Sequence, residues 1–351
     1  MRIFFQLLIL FFVTGLQHVN ARQLSVKWEI QKSTLTSSLR GLCAVSENVA
    51  WVSGTKGKYA FTRDGGKSWQ RGSVPGADSL DFRDVEAFAN GTAYLLSAGP
   101  GGASRIYKTT DWGAAWKKQV HNQLEKAFFN AFDFRDDRNG VAAGDPIEGR
   151  IFILQTSDGG ENWRRLPLDG LPKVKDGEYG FAASGSNIAV FGEKGIALAS
   201  GGSVARVFRT TDRGKSWSVV ASPLVSGNAS SGIFSIAFKD ENISMIAGGD
   251  YQKDGQLGIN LARSVDGGRK WESIGGQKSV GFRSCVAWRQ DAKTAMWVVV
   301  GTSGSDYSLD EGKTWIRFDE GSFNAVDFAG SAGWAAGAQG RVAKLHVQVK
   351  K

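Results

Sequence analysis

Thr210-Thr211-Asp212-Arg213-Gly214-Lys215-Ser216-Trp217 is one of six close copies of an eight-residue run in this chain. The others read TRDGGKSW from Thr62, TTDWGAAW from Thr109, TSDGGENW from Thr156, SVDGGRKW from Ser264 and SLDEGKTW from Ser308. Each copy fixes a hydroxyl, a carboxylate two residues later, a glycine two after that and a tryptophan three further on. The aspartates Asp64, Asp111, Asp158, Asp212, Asp266 and Asp310 are spaced by 47, 47, 54, 54 and 44 residues. A period of that length signals a propeller or a solenoid.

Each run reads as a tight turn between two strands. The Asp side chain can accept hydrogen bonds from backbone N–H groups just downstream, and the preceding Ser or Thr can add a second local bond. The glycine permits the positive φ that closes the turn. The tryptophan leaves on a strand and fills the space between neighbouring sheets; burying its roughly 200 Å² at about 25 cal/mol per Å² sets an upper bound of about 5 kcal/mol for each anchor. The six copies resemble the Asp-box, or BNR, repeat of sialidases, of several other glycosidases and of the photosystem II stability and assembly factor family. That resemblance implies a structural role for the six aspartates, at the turn between the third and fourth strands of a propeller blade.

Repeats spanning nearly all of the 351 residues favour one closed array over two domains. Forty-six glycines against six prolines suit many short strands joined by tight turns. Residues 1–21 read as a secretory signal: Arg2 supplies the positive end, residues 3–16 the apolar stretch, and Val19-Asn20-Ala21 a small-residue cleavage site. The expected mature domain is then 22–351, a single propeller exported to a periplasm or secreted. The rival reading is a retained membrane anchor, for which the apolar stretch is short. No other segment is apolar enough to cross a bilayer, so no integral membrane segment is expected after cleavage. Export permits disulfides, yet Cys43 and Cys285 fall in the first and sixth repeats, which are not neighbours in a ring of seven; two buried free thiols are expected.

The formal charge is +9. Its Lys and Arg residues are scattered rather than run together, which disfavours nucleic acid and leaves a solvated basic surface or an acidic partner. Only His121 and His346 follow the signal segment, so neither a His-rich metal site nor a serine triad is indicated. Glycine fingerprints for dinucleotides and phosphates are absent, and no cofactor or metal is expected.

Along the chain, residues 26–30 (Val-Lys-Trp-Glu-Ile) match the strand that follows a turn, but no turn precedes them. Six full repeats follow, with first strands expected at 39–45, 82–88, 129–134, 179–183, 233–238 and 282–288. A seventh unit begins at Phe323-Asn324-Ala325-Val326-Asp327-Phe328, echoing Phe129-Asn130-Ala131-Phe132-Asp133-Phe134, and runs out after its third strand. Its missing fourth strand is the orphan at 26–30. The fold predicted is therefore all-β: a seven-bladed β-propeller of four-stranded antiparallel blades, closed by the N-terminal strand completing the last blade, which removes exposed sheet edges.

If the repeated turns mark one face, ligands belong on the other, where the chain enters each first strand and the second strand turns into the third. Arg40, Arg83 and Arg283 hold one position, just after the leading apolar residue of repeats one, two and six; Asn130 and Asn324 fill it in repeats three and seven. Equivalent positions in a ring point toward a common axis, where three guanidiniums would bind a carboxylate, a phosphate or an acidic peptide. The competing arrangement pairs each arginine with a local carboxylate such as Asp84 or Glu86. The loops at 144–150, 192–194 and 249–254 add Asp145, Glu148, Asp250 and Tyr251. Two such carboxylates could serve a glycosidase if separated by roughly 5 to 9 Å. Basic residues also recur at the start of third strands: Lys58, Arg105, Arg150, Arg206 and Arg341.

Two function classes follow. The chain from residue 22 onward resembles the photosystem II stability and assembly factor family and its exported bacterial relatives in blade number, in the wording of the turns and in the run Phe82-Arg83-Asp84-Val85. Plant and cyanobacterial members are non-enzymatic chaperones that bind a photosystem subunit, partly through an arginine-rich surface. The resemblance implies a monomeric binding or assembly scaffold, with Arg40, Arg83 and Arg283 as contacts; it does not imply photosynthesis. The alternative is a glycoside hydrolase, with the same arginines and Tyr251 in sialidase-like roles. Against it stand the lack of an Arg-Ile-Pro run near the first strand and a count of seven, while seven-bladed Asp-box glucanases usually pair two propellers.

Overall fold

A computed structural model describes residues 24–274, 280–292 and 294–349 of the chain. The segment read as a secretory signal, residues 1–21, lies outside them. The described strands form seven antiparallel sheets, one for each blade of a seven-bladed β-propeller. Blade 1 sets the template: Leu39–Ala44, Ala50–Gly54, Lys58–Thr62 and Gln70–Ser73 run outward from the axis in that order. Blades 2, 3, 5 and 6 repeat it from Asp81–Ala87, Phe129–Phe134, Ser231–Phe238 and Cys285–Gln290.

Burial follows the sandwich that stacked blades impose. Second strands such as Ala50–Gly54 and Ala93–Ala98 are buried at every position, because a neighbouring blade covers each face. The outermost strands are short and polar, as in Gln70–Ser73 and Arg164–Arg165, which leaves little sheet edge to recruit another chain.

The ring closes as its ends predict. In blade 7, Ala325–Ala329, Ala332–Ala336 and Val342–Val349 are completed by Leu24–Gln31, with Trp28 opposite Leu345. Trp28 packs back on blade 6, its ring 5.6 Å from Phe318 and its indole donating to Ser305 Oγ at 3.0 Å, and it also lies 5.4 Å from Phe323 at the start of its own blade. The turn tryptophans do the same: Trp69 meets Trp334 of blade 7 at 5.7 Å and Trp116 meets Tyr59 of blade 1 at 5.1 Å. Only Trp271 is fully buried among these six, and the other five are half-buried, so the 5 kcal/mol bound overstates most of the anchors.

Carboxylates stitch the innermost strands together. Asp84, Asp133 and Asp327 each accept the N–H of the next residue and one N–H from the following blade: Phe132 N at 2.8 Å, Val190 N at 2.6 Å and Ala44 N at 2.7 Å. Cys43 and Cys285 are free and buried, as expected.

Blade 4 departs from the reading of the sequence. Its first strand is Ile188–Phe191, followed by Gly195–Ala199, Arg206–Thr210 and Ser218–Ala221. Residues 179–183, expected to be that strand, belong instead to an inserted segment. Glu178–Tyr179 pairs with Gly201–Gly202, itself bridged to Gly232 of blade 5, and the chain then crosses the axis before blade 4 begins. The interval of 54 residues between Asp158 and Asp212 holds this extra chain. A second consequence is that Gly192-Glu193-Lys194 turns from the first to the second strand and lies beside Arg213, on the face of the repeated turns rather than the opposite one.

Candidate functional site

The six repeated turns share one geometry. In each, the Ser or Thr hydroxyl donates to the Asp and accepts the N–H of the glycine four residues on, as with Thr62, Asp64 and Gly66 at 2.8 and 2.9 Å. Hydrogen bonds hold these carboxyls below the usual range, led by the Ser68 hydroxyl for Asp64 and the Asn162 amide for Asp158, both at about 2. Asp111, Asp212, Asp266 and Asp310 are lowered too. The six aspartates join third to fourth strands and are fully engaged in doing so.

On the opposite face, a β-bulge re-aims one side chain in several blades. The register skips Arg40 in blade 1, Arg83 in blade 2, Asn130 in blade 3 and Phe234 in blade 5. These residues meet the inserted segment, which plugs the channel. Arg40 Nη1 donates to Ala183 O at 3.3 Å and Arg83 Nη1 to Ala182 O at 3.1 Å. Ser184 donates to Ser284 O at 2.9 Å and Ser186 to Ser235 Oγ at 2.8 Å. Phe181 stacks on Phe234, centroids 3.8 Å apart, and Phe234 meets Phe282 and Tyr251 edge-on.

Of the three arginines expected together, the structure unites Arg40 and Arg83. Burial lowers the Arg40 pKa, and the neighbouring Arg83 charge lowers it further. Arg83 pairs at 2.7 Å with Asp81, not with Asp84 or Glu86. Arg283 is elsewhere, because blade 6 is one residue out of step with the alignment. Its N–H bonds to Gly248 O of the preceding blade, the slot taken by Leu39, Ile233 and Phe323 in theirs, and Ser284 takes the bulge position. The Arg283 side chain is fully enclosed and spends its donors on Asp306, Ser303 Oγ at 2.8 Å and Phe282 O at 2.7 Å.

Asn130 is buried and donates to Asp145 Oδ1 at 3.1 Å; Asn324 donates to Leu39 O at 2.7 Å. Asp145 also accepts Gly180 N at 3.3 Å, and burial raises its pKa. Glu148 stands exposed on the hairpin tip before Arg150, whose guanidinium donates to Leu171 O. Burial opposes ionisation of Asp250, but hydrogen bonds from Ser230, Gln252 N and Asn228 outweigh it and lower its pKa. Tyr251 is half exposed, with Leu257 and Val225 also exposed on the loops of blade 5. Sequence reasoning missed Phe181 and Phe234. Phe234 was legible, since it fills the position of Arg40 and Arg83; Phe181 was hidden by the misplaced strand.

Below the plug, a well of about 330 Å³ runs along the axis toward the repeated turns. Asp84, Glu86, Asp133 and Asp327 line it, together with Ala189, Ala237 and Ala287. Burial raises all four carboxyls, Asp133 to about 7 and Asp327 to about 6. The axis is thus polar: guanidiniums above the plug, carboxyls beneath it.

No family model and no curated protein matches the sequence. Solved structures do. YCF48 bound to D1 peptide is 17% identical with a TM-score of 0.63, over 90% of this chain and 96% of that one. YCF48 from Cyanidioschyzon merolae is 18% identical with a TM-score of 0.63, over 91% and 98%. Virginiamycin B lyase from Staphylococcus aureus is 12% identical with the same TM-score, over 92% and 99%. At these identities the likeness establishes the fold, a propeller shared by a peptide-bound protein and a lyase.

Proposed function

We propose that this chain is an exported, non-enzymatic binding or assembly scaffold that docks an acidic protein segment on the face opposite the repeated turns. One observation carries the reading: Arg40 and Arg83 lie together against the plug carbonyls, beside the aromatic group of Phe181, Phe234 and Tyr251. The two guanidiniums share Asp81 as their near counter-charge. A carboxylate arriving there gains charge-assisted bonds from donors already held in place, and the exposed Tyr251 and Leu257 offer apolar contact at the edge. A propeller of the same fold holding the D1 peptide supports the reading, as does the sequence's resemblance to assembly factors with Asp-box turns.

Nothing in the geometry favours a glycoside hydrolase to the same degree. Asp145 is committed to Asn130 and Gly180, and Glu148 stands on an exposed tip. Affinity capture from the source cell envelope tests the proposal. The wild-type chain is expected to retain a partner that Arg40→Glu/Arg83→Glu releases while still unfolding cooperatively. Equal recovery by the folded double variant would refute the arginine face.

A further inference from the structure

A second cleft lies on the other face, at the seam between blades 3 and 4, with a volume of about 410 Å³. Its apolar lining comes from Val141, Leu166, Pro167, Val190 and Ile196. Arg135, Arg164 and Arg213 add charge around it. Arg135 is fixed, donating to the carbonyls of Phe191, Gly192 and Gly195 in blade 4. Arg213 lies close enough to Arg135 to repel it. Arg165 also borders the cleft but lays its guanidinium over the Phe152 ring, 5.2 Å away. Among the described residues, the side chains of Arg164 and Arg213 have no hydrogen-bond or ion-pair partner. The one carboxylate in the lining, Asp158, is taken up by Thr156 and by the backbone and amide of Asn162.

The backbone at Arg213 adds an independent observation. Its φ is +62°, in a turn position that Gly65, Gly159 and Gly267 fill in three sister copies. A bulky residue there is strained, and such strain persists where the side chain has a task. In the two other non-glycine copies the task is visible: Trp112 stacks on Trp51 of the preceding blade, and Glu311 bonds to Lys239 of the preceding blade. Arg213 instead overhangs a cleft with its donors free.

We propose that this cleft binds a small amphipathic carboxylate, its head on Arg164 and Arg213 and its apolar body on Val141, Val190 and Ile196. Guanidinium forks match a planar carboxylate bidentately, and the volume is that of a small-ligand site. Titration calorimetry on the full chain tests it with octanoate, octanol and inorganic phosphate as probes. Octanoate is expected to bind saturably at one site, about tenfold more tightly than either control, the scale of one charge-assisted contact. Arg164→Ala and Arg213→Gly should each weaken octanoate by about tenfold. Glycine is native to the sister turns, so Arg213→Gly keeps the fold, which its melting curve verifies. Octanol or phosphate matching octanoate, unchanged affinity in folded Arg213→Gly, or no octanoate binding would each overturn the proposal. Arg40→Glu/Arg83→Glu should leave octanoate binding intact, which separates this site from the scaffold reading.

Discussion

Asp133 and Asp327 each tie two blades together while sitting where ionisation is disfavoured, and this gives the fold a signed dependence on pH. Their folded pKa values, about 7 and about 6, lie above the unfolded carboxyl value of about 4. Between those limits the folded state holds more protons than the unfolded one, so stability falls as pH rises through that window. The turn aspartates have the opposite sign: Asp64 and Asp158, at about 2, contribute stability that is present above about pH 4 and lost below it. Thermal melting is therefore expected to peak near about pH 4. Melting at pH 5 should exceed that at pH 7.5, and Asp133→Asn/Asp327→Asn should reduce the difference, the remainder coming from Asp84 and Glu86, which burial also raises. A steady rise in stability from pH 4 to 7.5 would contradict this. The turn aspartates could be read from the sequence because all their partners lie within a few residues. The stitching by Asp84, Asp133 and Asp327 could not, since each bond reaches a different repeat.

At the scale of elements, the plug decides what the arginine face can present. Gly185 sits in it at φ +73°, and a Cβ there would come within 2.2 Å of Asp84 Oδ1. Gly185→Ala should therefore cost about 1 kcal/mol or more. It should also weaken partner capture, because Ala182 and Ala183 hold Arg83 and Arg40. Chemical denaturation and envelope capture on this variant check both effects; wild-type behaviour in both would show that the plug is not a support. The sequence announced the plug only as the long interval from Asp158 to Asp212, since a segment of Gly, Ala and Ser around Phe181 reads like a strand until its pairing is seen. Arg283 was misplaced for a similar reason. Phe282 matches the leading apolar residues of the other repeats in sequence, but the backbone puts Arg283 in that slot, where Asp306 neutralises it.

For the whole molecule, the architecture was legible because it rests on period and on the two unmatched ends: Leu24–Gln31 completes the sheet that Val342–Val349 leaves open. Closure fixes two unlike faces, one carrying the six turns and the amphipathic cleft, the other carrying the plug, Arg40, Arg83 and Tyr251. A photo-reactive phenylalanine analogue placed at Tyr251, and separately at Lys215 on the turn face, asks which face meets the captured partner. Cross-linking from position 251 and none from 215 is the outcome predicted; cross-linking from 215 and none from 251 would contradict it.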